Sequence, residues 1–196
     1  MDMVAKFREL DNIYEAYEAE VAEYKEGSAC EKGCAYCCTH AGAIDATTLE
    51  AFRILTYLGT LPKDKVKKIH KALNREIKKR EKKQRVDCPF LMKNQGCFIY
   101  KYRPFSCRRI YSAHTCSIDA PPAVHRQAMG LANARIDELK EADPNGYSGH
   151  LSYIILMLRT PEFYDTWIKG EFKPEDIMAF GRSHGIGINR IQAELI

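Results

Sequence analysis

Cys30-Glu31-Lys32-Gly33-Cys34-Ala35-Tyr36-Cys37-Cys38 sets four thiols within nine residues, in the pattern C-x3-C-x2-C-C. A lone cysteine is most often a small buried core residue. Four at this density point to metal or redox chemistry, because short gaps let neighbouring thiolates converge on one ion. Gly33 suits the tight turn such a loop requires. Adjacent residues tend to point in different directions, so one ion rarely takes both Cys37 and Cys38. The pair implies either two centres, or one centre plus a cysteine with another role.

A second block follows at Cys88-Pro89-Phe90-Leu91, Cys97-Phe98-Ile99-Tyr100 and Arg103-Pro104-Phe105-Ser106-Cys107-Arg108, with Cys116 beyond it. These spacings are too wide for one helix face. They suit loops that fold back to complete a ligand set of Cys30, Cys34, Cys37, Cys38, Cys88, Cys97, Cys107 and Cys116. Eight thiolates serve two tetrahedral four-cysteine sites, or one four-cysteine iron–sulfur cluster with spares. A divalent ion on four thiolates carries about −2, which is costly to bury unpaired. Arg103 and Arg108 flank Cys107 and are expected to offset that charge by hydrogen bonds to the sulfurs, with Arg109 nearby. His40 and His114 lie close to Cys38 and Cys116, but the thiols already suffice for a closed site, so both read as ordinary histidines.

Composition bounds the setting. The chain has 196 residues, 45% hydrophobic and 29% charged, which suits a single domain spanning 1–196 with a moderate core. The first residues lack the basic start and apolar run of a signal peptide. The longest apolar run, Tyr153 to Leu158, is far short of the roughly 20 residues that cross a bilayer. A reducing cytoplasm is therefore expected, with no membrane, and disulfides are disfavoured there.

The remainder reads as helix. Over 1–26, Phe7, Leu10, Tyr14, Tyr17, Val21 and Tyr24 form a heptad-like seam. It is expected to pack on the rest of the domain, with a homodimer contact as the alternative. A second helix is expected over Asp45–Leu58, capped by Asp45 or by Thr47, with Glu50 three residues after Thr47 in a capping-box arrangement and Gly59 as its stop. A third is expected from Pro62 to about Arg85, with an apolar stripe at Val66, Ile69, Leu73 and Ile77. The span Lys63–Arg85 holds twelve Lys or Arg against three Asp or Glu. Between Cys88 and Cys116 the chain reads as loops, with a short extended piece at Cys97–Tyr100 and a helical turn opening at Pro104 that carries Cys107. Further helices are expected over Pro122–Glu141, Ser148–Arg159, Thr160 to about Gly170, and Pro174–His184 with Gly185 as stop. The expected fold is mostly α: a cysteine-cluster core at 30–116, whose loops form a metal site, flanked by helices at 1–26 and 121–196.

These two blocks resemble the zinc- or iron-chelating cysteine-cluster family of the CxxCxxCC type. The first block matches its opening with one extra residue in the first gap. Cys88–Leu91 matches a CPFL element. Cys97, Ile99, Tyr100, Arg103, Pro104, Cys107 and Arg108 match a C-x-I-Y-x-x-R-P-x-x-C-R element. The match covers about 30–116, and Cys116 falls where the family pattern is loose. The resemblance implies chelation of zinc or iron by these cysteines, without choosing the metal. The flagellin lysine methylases share this kind of cluster, which suggests that some relatives are enzymes. This chain is much shorter and has no glycine-rich strand-to-helix loop for a nucleotide-type cofactor.

Three functions follow as expectations. The first is a binding protein with structural or metal-handling centres. The second is an iron–sulfur protein, with a 4Fe-4S cluster, acting as an electron carrier or as an enzyme on a protein or small-molecule partner. His40, His114, Tyr100 and Tyr111 are its candidate helpers, each with a simpler structural role. The third is nucleic-acid binding through 63–85, which is disfavoured because that segment has no aromatic residue for stacking and its stripe explains it as a surface helix.

Overall fold

The computed structural model describes residues 1–31, 33–40, 44–93 and 96–188, so the expected helical flank beyond 188 lies outside the described residues. The helices in chain order are α1 (Met3–Glu20), α2 (Ala22–Lys25), α3 (Tyr36–His40), α4 (Thr48–Gly59), α5 (Lys63–Glu81), α6 (Phe105–Arg108), α7 (Arg126–Ala142), α8 (Leu151–Leu158), α9 (Pro161–Ile168) and α10 (Pro174–His184). Two strands, β1 (Asp45–Thr47) and β2 (Ser148–His150), form an antiparallel pair. The fold is mostly α, as expected.

Asp2 caps α1, accepting from the N–H groups of Val4 and Ala5 at 3.1 Å each. The heptad seam is used inside the chain: Leu10, Tyr14, Tyr17 and Val21 are buried. α1 packs on α7 and α4. The helix breaks at Val21, so the expected 1–26 segment is two pieces.

Thr47 caps α4 with the expected capping box. The residues expected to begin that helix instead form β1, whose Asp45, Ala46 and Thr47 pair with His150, Gly149 and Ser148. The same pairing delays the helix expected from Ser148, which starts at Leu151. Strands of three residues are too short to carry an alternating pattern, so neither was visible in the sequence. α5 ends at Glu81, with Lys83 at φ 56 beyond it, rather than at Arg85. Its Leu73 and Ile77 are buried, and it packs on α8. Prolines open α9 and α10, and Gly185 ends α10 in the left-handed region at φ 62.

One buried carboxylate ties three elements together. Glu50 Oε2 accepts from the Thr47 N–H at 2.7 Å, closing the capping box. Its Oε1 accepts from Tyr14 Oη on α1 and from the Phe105 N–H that opens α6, both at 2.6 Å. Burial and this carboxylate raise the Tyr14 hydroxyl well above its ordinary range. Phe105 wedges between Tyr14 and Tyr17, with its ring centroid 4.7 Å from that of Tyr17.

His150 links the sheet to α5. Its Nδ1 accepts from the Ser152 N–H at 3.4 Å, and its Nε2 faces Glu76 Oε1 at 3.6 Å. Burial, then the Arg80 guanidinium, lower its pKa from 6.5 to about 3. The ring is therefore neutral at physiological pH, and the contact with Glu76 is not an ion pair.

Replacing Glu50 with alanine is expected to lower stability by about 3 kcal/mol, because the Tyr14 hydroxyl and the Phe105 N–H lose their buried acceptor. Urea unfolding reads this directly, and an unchanged midpoint would refute it. His150 gives a pH signature. The unfolded chain takes up a proton below about 6.5 that the folded ring refuses until about 3. The stability it contributes is present above 6.5 and lost as pH falls, at up to ~1.4 kcal/mol per pH unit. Urea melts across that range should show a shallower acid loss for His150→Gln than for the parent; equal slopes would reject the assignment.

Candidate metal centre

Each cysteine of the second block sits two residues from a buried apolar side chain. Phe90, Ile99 and Phe105 are 1%, 2% and 2% exposed, beside Cys88, Cys97 and Cys107. Burying those three side chains fixes the backbone that carries the sulfurs. Glu50 adds a polar constraint on the Cys107 turn. A bridge pairs Leu91 with Cys97, and the Phe98 N–H donates to the Phe90 carbonyl at 2.9 Å. The extended piece expected over Cys97–Tyr100 is only the single bridge at Cys97: Phe98 and Ile99 turn, and a 3-10 helix spans Tyr100–Tyr102.

The first block joins the second through the backbone. The Cys88 N–H donates to the Cys38 carbonyl at 2.8 Å, and Arg85 Nε donates to the Thr39 carbonyl at 3.2 Å. Gly33 takes φ 97, as the tight turn required. Tyr36 stacks on His40 and donates its hydroxyl to the Ser117 carbonyl.

All eight cysteines are free thiols. Cys37, Cys88, Cys97 and Cys107 share one electrostatic neighbourhood, although they come from stretches about fifty residues apart. Burial pushes the Cys88 thiol up to about 12, and the neighbouring Cys97, Glu76 and Cys37 add to it. Burial likewise raises Cys97 and, well above its ordinary range, Cys107. Cys37 is raised chiefly by its hydrogen bond with Cys38 and then by burial. The backbone opposes this: hydrogen bonds from Phe90 and Ile99 favour the charged sulfurs of Cys88 and Cys97. Such donors to sulfur suit a thiolate bound to a cation.

The remaining expected ligands stand differently. Cys30 and Cys34 are exposed, and Cys116 Sγ donates to the His114 carbonyl at 3.9 Å. None of the three is among the groups acting on the four central thiols. Arg103 favours the charged forms of Cys97 and Cys107, and its guanidinium lies 3.9 Å from the Tyr100 ring centre. Arg108 instead donates to the carbonyls of Arg103 and Lys101, at 3.2 and 2.8 Å, and lies over the Tyr14 ring. His40 Nδ1 is bonded to Thr39 and Tyr36, and His114 Nε2 to the carbonyls of Ala120 and Pro121.

Glu76 and His150 were not expected at this site. With Arg80, they line a small cavity of about 20 Å³ together with Cys37, Cys38 and Cys88. The sequence holds one signal for Glu76: it lies three residues after Leu73 and beside Ile77, on the apolar stripe of α5. His150 had none. Among the described residues, no three Cys, His, Asp or Glu side chains stand close enough to hold an ion as oriented. The donors nevertheless fit a thiophilic metal in kind: free sulfurs from two stretches, backbone donors aimed at sulfur, and an arginine beside them.

A family model described as "CxxCxxCC: Putative zinc- or iron-chelating domain" matches residues 29–130. No curated protein and no solved structure matches the chain. Among the described residues, no helix is long and apolar enough to cross a membrane. The model covers 102 of 196 residues, including every cysteine, and the chain belongs to this CxxCxxCC family of zinc- or iron-chelating domains.

Proposed function

We propose that the chain holds zinc or iron on thiolates, with Cys37, Cys88, Cys97 and Cys107 as the central ligands and Arg103 as their charge partner. What supports this is the mutual electrostatic influence among four half-buried thiols that come from two distant stretches. In the metal-free chain these thiols keep their protons, because burial and mutual proximity both disfavour charge. A bound cation reverses that balance and supplies the attraction that thiolates need to stay buried.

Four thiolates suit one tetrahedral zinc or iron ion and equally a 4Fe-4S cluster. Cys30, Cys34, Cys38 and Cys116 are the candidates for a second ion. Cys34 is exposed and does not act on the central four.

Cys88→Ser and Cys107→Ser are expected to lose most bound metal and to lower Tm together, while Cys34→Ser loses less. Elemental analysis of anaerobically purified protein, paired with thermal melts, reads both quantities. Full metal content in the Cys88 and Cys107 variants would overturn the ligand set. The absorption spectrum separates the metals: a brown protein with visible bands indicates an iron–sulfur cluster, and a colourless protein carrying zinc indicates a simple ion.

A further inference from the structure

Glu76 is an acidic residue in a strongly basic helix, yet it is buried, at 1% exposure. Its two carboxylate oxygens have opposite fates. Oε1 accepts from Arg80 Nε one turn along α5. It also faces His150 Nε2 at 3.6 Å. The Nδ1 of that ring accepts from the Ser152 N–H at 3.4 Å. Oε2 is buried without any hydrogen-bond partner. A buried carboxylate oxygen with no donor is costly, and a native fold keeps one only where something else satisfies it.

The surroundings of Glu76 indicate what does so. Glu76 lines the cavity of about 20 Å³ that Cys37, Cys38 and Cys88 share, a space that suits a single small species. It acts electrostatically on the Cys88 thiol. A carboxylate among thiols, with one oxygen fixed and the other unpartnered, has the arrangement of a metal ligand whose other oxygen is held by outer groups.

We infer that Glu76 Oε2 is an oxygen ligand of the metal centre, with Arg80 as the positioning residue that holds Oε1. The inference rests on the metal-holding reading above and makes the centre mixed sulfur–oxygen rather than purely thiolate. An oxygen ligand is harder than sulfur. It widens the accepted metals toward iron and leaves a more exchangeable position than four thiolates would.

The test uses the full chain, prepared anaerobically with thiols reduced and titrated with Zn²⁺. X-ray absorption at the zinc edge separates sulfur at about 2.3 Å from oxygen at about 2.0–2.2 Å. The expected parent spectrum contains one oxygen-distance scatterer beside the sulfurs. Glu76→Gln, nearly equal in size, is expected to weaken Zn²⁺ binding at least tenfold and to change that shell. Glu76→Asp, which keeps the carboxylate, is expected to recover part of the affinity. A sulfur-only shell in the parent overturns the inference while leaving the thiolate centre intact. So does unchanged affinity and shell in Glu76→Gln. Failure of the parent to bind Zn²⁺ or iron overturns the metal-holding reading itself. The parent spectrum needs no variant, so a poorly folded substitution leaves the inference testable.

Discussion

The Glu50 carboxylate is the constraint on which the arrangement of this protein depends. It accepts from the cap of α4, from a tyrosine of α1 and from the first N–H of α6. Buried carboxylates are tolerated only when their oxygens are satisfied, and here each oxygen meets well-aligned donors. The same contacts fix where the Cys107 turn sits relative to the helical core. Phe105, packed against Tyr14 and Tyr17, adds apolar burial to that polar anchor. The Cys107 turn is therefore built on the helical core rather than on a free loop.

A division of labour follows along the cysteine-rich region. Buried Phe90, Ile99 and Phe105 hold the backbone, while the cysteines two residues away stay half-buried. Backbone donors reach the sulfurs of Cys88 and Cys97, and Arg103 supplies positive charge. Burial raises the pKa of these thiols. A bound cation would reverse that balance. That asymmetry couples metal binding to the stability of this region, as in small metal-dependent domains.

Two neighbours of this centre contrast in an instructive way. Glu50 and Glu76 are both buried acids on helices, at 3% and 1% exposure. Glu50 has donors on both oxygens, which marks a structural role. Glu76 has them on one oxygen only and lies against the thiols. Its place against the thiols, together with the unpartnered oxygen, is what distinguishes Glu76 from Glu50.

The cysteine pattern alone carried the chemistry and the family, because ligand spacing is a local property of the chain. Helix periodicity, the Thr47–Glu50 capping box, the opening prolines and the Gly185 stop were also legible, since each depends on residues within a turn or two of one another. The strand pair was not: Asp45–Thr47 and Ser148–His150 meet across a hundred residues, and neither is long enough to show a period. Tertiary structure alone left Cys30 and Cys34 exposed while partly burying Cys37, Cys88, Cys97 and Cys107, and turned Arg108 to backbone carbonyls while Arg103 favours the charged forms of Cys97 and Cys107. It also brought Glu76 and His150 to the site. Burial and through-space proximity decide these assignments, and neither is written in the spacing of residues along a chain.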